Sequence, residues 1–356
     1  MRWDEFEKDQ QEMRIAQLSP LWERVPPPAY GGTEAVVHLL TEDLVRRGHD
    51  VTLFASGDSV SSASLRAVYP HSLRTAKRLA DAAPYEWVHC SHALAAWEEF
   101  DIIHNHAGEL PMAASRLIFT PMLTTMHCII TPDTKVVWDH YGGYYNTLSW
   151  AEYRAMPPIR NRNFLGPVYN AIDVGSFPFS ADKENYLLHL SRVAPEKGTH
   201  LAIEVALRLG MRLVIAGKVD RVDRQYYEER VKPLVDGKQI QFVGEADGPR
   251  KRELYRKATC VILPILWEEP FGLVMPEAMA CGTPVIVFDR GAASEVVADG
   301  VTGYLVHDVD EMVAAVKKLD RIDPRRCRQH VEQRFDVPRM VDDYLRLYEL
   351  ILSFSH

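Results

Sequence analysis

The sequence is short of four things: paired cysteines, long apolar runs, a surplus of positive charge, and a Gly-x-Gly-x-x-Gly turn. Its cysteines, Cys90, Cys128, Cys260, Cys281 and Cys327, are odd in number, scattered and without a C-x-x-C pair, which excludes a disulfide framework and a cysteine zinc site. They read as reduced, mostly buried thiols. No apolar stretch reaches the roughly 18 residues that a membrane span requires. The opening "MRWDEFEKDQQE" has no basic start and no apolar middle of a secretory leader, so the expected location is cytoplasmic. With 41 Lys and Arg against 49 Asp and Glu, the net charge of -8 argues against nucleic acid as a partner. Three basic patches remain: Arg74 with Lys77 and Arg78, "PRKR" at 249–252 and "PRRCR" at 324–328. Each is expected to be a solvated helix face, with contact to anionic lipid headgroups as the lesser alternative. The missing glycine fingerprint counts against a nicotinamide-binding enzyme.

What is present has a strong grammar. A chain of 356 residues exceeds one ordinary core and predicts two domains of about 150–180 residues each. "RIAQLSP" (14–20) reads as a strand. A helix follows from Gly31-Gly32-Thr33, with Val36, Leu40 and Leu44 at spacing four, and "HDVTLFAS" (49–56) is the next strand. "FDIIHNH", "PMLTTMH" and "FLGPVYN" continue the series to residue 170. The small and polar "AIDVGSFPFSADKE" breaks it near 171–184. A second series runs through "NYLLHLSR", "RLVIAG", "IQFVG", "CVILP", "PVIVF" and "GYLV". Continuous apolar runs of this kind are buried parallel strands, so the fold class is α/β with two doubly wound sheets. The expected units are 13–171, 172–336 and a last helix in 337–356, whose Val341, Tyr344, Leu345, Tyr348 and Leu352 should lie on a core.

In open parallel sheets, ligands bind where strands end, and four strand ends carry chemistry. The turn "YGGTE" offers Gly32 for close backbone approach and a helix N-terminus for an anion, although a Gly-Gly turn is equally ordinary loop chemistry. In "SRVAPEKGT", Arg192 and Lys197 suit a diphosphate, the alternative being surface cations paired with acids such as Glu196. His127 ends "TTMH", where a hydrogen-bonded core histidine is the other reading. Finally, "WEEPFGLVMPEAMACGTPVI" puts Glu269 at the mouth of a loop and Glu277 in the first turn of a helix, eight positions later.

"EPFGLVMPEA" resembles the E-x7-E motif of the retaining, nucleotide-sugar-dependent glycosyltransferases of the GT-B fold. That large family includes bacterial mannosyltransferases and sucrose-phosphate synthases. The likeness runs along nearly the whole chain, through "GGTEAVVHLLTEDLVRRGHDVTLFA", "DIIHNH", "TTMH", "VYNAID", "LSRVAPEKG" and "AMACGTPVIVFDRGAASEVVADGVTGYLV". It implies two Rossmann-like domains facing a central cleft, with a C-terminal helix crossing back toward the first. It also implies that Arg192 and Lys197 hold the donor diphosphate, that Gly32 approaches the distal phosphate, and that Glu277 takes the ribose hydroxyls. Glu269, with the amides of Phe271, Gly272 and Leu273, would hold the transferred sugar; Gly217 and Val274 complete the donor site, and His127 lies beside the anomeric centre.

By the same resemblance the reaction is transfer of a hexose, glucose from UDP-glucose first and mannose from GDP-mannose second, to a hydroxyl of a small molecule or glycan. Retention would come from front-face attack, with no metal or other cofactor implied and no convincing D-x-D motif present. A nucleotide-sugar-binding protein without transferase activity is the alternative. Three departures stand out: Ala171 replaces the usual glycine after the boundary Asn170, residues 1–12 have no counterpart, and 129–163 diverges. In that last stretch Trp138, Tyr141, Tyr144, Tyr145 and Trp150 are placed either in the core or against a flat or sugar acceptor.

Overall fold

The structure, a computed structural model, describes residues 12–29, 31–75 and 80–354. Two parallel sheets organise them. The first contains β1 (Arg14–Leu18), β2 (Asp50–Phe54), β3 (Ser64–Arg66), β4 (Ile102–Asn105), β5 (Met122–Thr125), β6 (Tyr144–Thr147) and β7 (Phe164–Pro167), in the order β3-β2-β1-β4-β5-β6-β7. The second contains β8 (Tyr186–Leu190), β9 (Arg212–Ala216), β10 (Ile240–Phe242), β11 (Cys260–Leu263), β12 (Val285–Phe288) and β13 (Gly303–Val306), in the order β10-β9-β8-β11-β12-β13. Every pairing within them is parallel. The apolar runs read from the sequence are these strands: β4, β11 and β12 are buried along their whole length because helices cover both faces.

In each sheet the direction of strand addition reverses once, between β1 and β4 and again between β8 and β11. Loops leaving the carboxyl ends of these neighbours diverge to opposite faces and open a crevice. The helix Gly32–Arg46 follows β1, and its Val36, Leu40 and Leu44 are buried against Ile15 and the last helix, Val337–Ser353. That helix follows the second sheet but packs on the first, with Val341, Tyr344, Leu345 and Tyr348 inward. Arg47 ties the two helices by an ion pair to Asp342 at 2.5 Å. Where the chain returns, Ile172 N donates to Phe335 O at 2.9 Å, and Ile172 pairs with Asp336 as a parallel bridge.

Cys90, Cys260, Cys281 and Cys327 are buried free thiols, as composition suggested, while Cys128 is exposed. Of the five aromatics in the divergent stretch, Trp138, Tyr141 and Tyr145 belong to the core cluster of the first sheet, and Trp150 is exposed. Among the described residues no helix is long and apolar enough to cross a membrane.

Candidate functional site

All the candidate residues sit just past carboxyl ends of strands or in the helices those loops open. Gly32 opens the helix after β1, and His127 stands two residues beyond β5. Arg192 is two residues beyond β8, Lys197 closes the turn Pro195–Lys197, and Gly217 directly follows β9. Glu269 to Leu273 form the loop between β11 and the helix Val274–Ala280, which carries Glu277.

Lys197 and Glu269 meet. They descend from the adjacent strands β8 and β11, and the Lys197 ammonium pairs with Glu269 Oε2. Trp267 Nε1 donates to the same oxygen at 3.0 Å, and the ammonium lies 4.8 Å from the centre of the Trp267 ring, a cation–π distance. Backbone holds this corner in place: Ala292 N donates to Glu269 O at 2.9 Å, and Gly291 N donates to Glu268 Oε2 at 2.7 Å. Gly272 takes φ of 82°, where a side chain is strained, and a Cβ there would lie 2.8 Å from Met275 Cε and 3.3 Å from Glu269 Cγ. The Phe271 ring is buried in the core, so what it presents to a ligand is backbone. Leu273 and Val274 pack partly buried on the same cluster. Leu273 Cδ1 would be 3.5 Å from a Cβ added to Gly32, so the glycine loop of the first sheet closes over the loop of the second. Tyr30, beside that glycine pair, lies outside the described residues.

Arg192 and Glu277 are engaged elsewhere. The Arg192 guanidinium is paired with Glu196 and Asp223, and stands 3.9 Å from Asp220. Glu196 is the acid that the surface alternative expects; Asp223, 31 residues on, has no local sequence signal. Glu277 is buried, with Oε1 accepting from Lys251 Nζ at 2.6 Å and Oε2 from Tyr255 Oη at 2.8 Å. Lys251 comes from "PRKR", so that stretch is not simply a solvated face: it turns one cation onto Glu277. Arg328 of "PRRCR" likewise turns inward, donating to the carbonyls of Phe177 at 2.7 Å and Ala280 at 2.9 Å. In the third patch Arg74 pairs with Glu23, and Lys77 and Arg78 lie outside the described residues. Gly217 serves close packing, since a Cβ there would fall 1.7 Å from Ser191 O.

His127 lines a cavity of about 360 Å³ together with Gly32, Glu23, Glu109 and Trp138. Burial lowers its pKa to about 4, so the ring is neutral at pH 7, and its Nε2 lies 2.9 Å from His106 Nδ1. A second cavity of about 270 Å³ is lined by Met126, Ile130, Glu152, Trp267 and Glu269. Met126 borders both.

No motif or spacing in the sequence marks Glu152. Its Oε2 accepts from Leu148 N at 2.7 Å, its Oε1 is buried without a partner, and burial raises the carboxyl to about 8. The folded state therefore favours the neutral acid. The unfolded chain ionises above about 4.5, so stability is lost as pH rises from there toward about 8. Glu152→Gln is accordingly expected to raise stability by about 1–2 kcal/mol at pH 8, with the amide's own unpaired N–H offsetting part of the gain. At pH 4.5 the gain vanishes; urea midpoints at the two pH values check both.

This geometry has relatives. The Glycosyltransferase Family 4 model matches residues 30–162, and the Glycosyl transferases group 1 model matches residues 176–333. The chain belongs to the GT-B glycosyltransferases. Glycogen synthase of Mycobacterium tuberculosis is 27% identical to this glycosyltransferase, over 91% of each chain. Phosphatidyl-myo-inositol mannosyltransferase of Mycolicibacterium smegmatis is 27% identical, over 95% of this chain and 94% of that one. Sucrose-phosphate synthase from Thermosynechococcus elongatus shares the fold, with a TM-score of 0.79 at 20% identity, covering 96% of this glycosyltransferase and all of that chain (100%).

Proposed function

We propose that this glycosyltransferase moves a hexose from a nucleotide diphosphate sugar to a hydroxyl of a small-molecule or glycan acceptor, with retention and without a metal. The observation that carries the reading is the meeting of Lys197 and Glu269 from neighbouring strands at the point where the strand order reverses, with Glu269 lining the second cavity. A cation for the phosphates and a carboxylate for sugar hydroxyls are thereby set side by side. Before a donor binds, each cation is neutralised locally, Lys197 by Glu269 and Arg192 by Asp223 and Glu196. A diphosphate competes for those cations as it enters and frees Glu269 for the hydroxyls of the transferred sugar. As the glycosidic bond breaks, negative charge grows on the leaving diphosphate, which Lys197 and Arg192 stabilise. In front-face attack a leaving-group oxygen takes the proton of the acceptor hydroxyl, and His127 borders that centre as a neutral ring.

Glu277, fixed by Lys251 and Tyr255, takes the ribose hydroxyls, and the backbone of Gly32, Gly217 and Phe271–Val274 shapes the donor bed. UDP-glucose is the first donor of this reading and GDP-mannose the second; the names of the two relatives, a glycogen synthase and a mannosyltransferase, speak for one of these sugars each.

A thermal-shift panel of UDP-, GDP- and ADP-sugars tests it, because a ligand at 100 times its Kd stabilises by about 2.7 kcal/mol. The donor with the largest shift names base and sugar together. Product NMR then reads the anomeric configuration, and EDTA should leave the rate unchanged. A shift without nucleotide release would make the chain a binder; no shift from any donor would overturn the reading.

A further inference from the structure

A continuous run of hydrogen bonds leads from His127 to the last helix. His106 Nε2 lies 3.0 Å from Gln17 Oε1, and Gln17 Nε2 donates to Tyr348 Oη at 3.1 Å. Tyr348 Oη lies 2.6 Å from His104 Nδ1, and His104 Nε2 lies 2.7 Å from Thr125 Oγ1. Thr125 Oγ1 lies 2.7 Å from Asn146 Oδ1. Gln17, His104, His106, Thr125, Asn146 and Tyr348 are all buried, so each must be satisfied within the protein. Burial also keeps His104 and His106 well below the ordinary histidine pKa, and neutral.

Such a chain can be protonated in either sense, and its far end decides. Asn146 Nδ2 faces the backbone carbonyl of Thr147 at 3.2 Å. A carbonyl only accepts, so Oδ1 is the atom turned to Thr125 and accepts a hydrogen bond from its hydroxyl. Thr125 Oγ1 is left to accept, from Tyr344 Oη at 3.2 Å and from His104 Nε2–H. His104 Nδ1 is then a lone pair and accepts from Tyr348, whose oxygen accepts from Gln17 Nε2. Gln17 Oε1 accepts from His106 Nε2–H. The bare Nδ1 of His106 accepts from Nε2–H of His127.

We propose that His106, Gln17 and Tyr348 are positioning residues that hold His127 as its Nε2–H tautomer, with the order set at Asn146. Nδ1 is then the ring nitrogen His127 has left for a ligand, and it is an acceptor. A substrate hydroxyl that bonds to this ring must donate. The tautomer stands on the network alone; its consequence for turnover rests on the reading of His127 as a neighbour of the transferred sugar.

The test is a long-range 1H–15N correlation spectrum of the full chain with 15N-labelled histidine, the His127 ring being assigned by its absence in His127→Gln. The expected result is a protonated Nε2 and a bare Nδ1. Tyr348→Phe removes the hydroxyl that accepts from Gln17 and donates to His104, so the order is no longer transmitted and the His127 nitrogens move toward averaged shifts. With them kcat falls about tenfold, while KM for the donor stays within twofold. Gln17→Met breaks the same chain should Tyr348→Phe not fold, and the wild-type spectrum needs no variant. A wild-type His127 protonated on Nδ1, or a pure Nε2–H tautomer in both variants, overturns the proposal. Averaged shifts with unchanged kcat uphold the relay and count instead against His127 as a neighbour of the reacting sugar.

Discussion

Lys197→Ala is expected to lower kcat about 10²- to 10³-fold, with KM for the donor moving far less. The ammonium is held beside Glu269 and 4.8 Å from the centre of the Trp267 ring, so the exchange of Glu269 for the diphosphate is made on binding, before the chemical step. Its attraction for the diphosphate grows as the leaving group gains charge, and that difference enters kcat. Deletion has a second effect. Glu269 keeps its bond from Trp267 Nε1 but loses its counter-charge, and an uncompensated carboxylate then faces an anionic leaving group. Lys197→Ala with Glu269→Gln should therefore fall short of the sum of the two single losses, as expected for groups in contact. Steady-state kinetics of the three variants checks this, and a kcat for Lys197→Ala within threefold of wild type would remove Lys197 from the mechanism.

The second large effect lies in binding. Glu277→Gln should raise KM for the donor about 10- to 100-fold and change kcat little, because a ribose contact remote from the breaking bond is made equally in ground and transition states. Both carboxylate oxygens are held, by Lys251 and by the buried Tyr255 hydroxyl, so the group is preorganised. A donor lacking the ribose hydroxyls separates this from general disturbance. Wild type and Glu277→Gln should bind that donor alike. Equal losses with both donors would refute the ribose assignment.

Much of this molecule is legible in the sequence because buried parallel strands are continuous apolar runs: "CVILP" and "PVIVF" are β11 and β12. The amphipathic spacing of Val341, Tyr344, Leu345 and Tyr348 likewise marks a helix with one face on a core. Elements without such a pattern are silent. β3 is three residues at the sheet edge, none of them buried, and Ala83–Ala95 leaves Trp87 and Val88 exposed, which blurs its periodicity. At the site, the positions of Lys197, Glu269 and His127 follow from strand ends, but their partners do not. Asp223 beside Arg192, Tyr255 beside Glu277 and Gln17 beside His106 are brought near by folding across long stretches of chain, and no spacing rule announces them. Glu152 is silent for another reason: its character comes from the absence of water and of a partner, which only packing creates.

Among the described residues the chain passes between its two sheets twice, at Ile172 and at Asp336, and the two passages lie side by side and hydrogen-bonded. A few residues where the chain passes from one unit to the other are the kind of place that absorbs the backbone rotation of a hinge. If the crevice tightens around a donor, the expected motion is rotation about an axis through this seam, a hinge in place of a shear. The greatest travel then falls to the loops farthest from the seam.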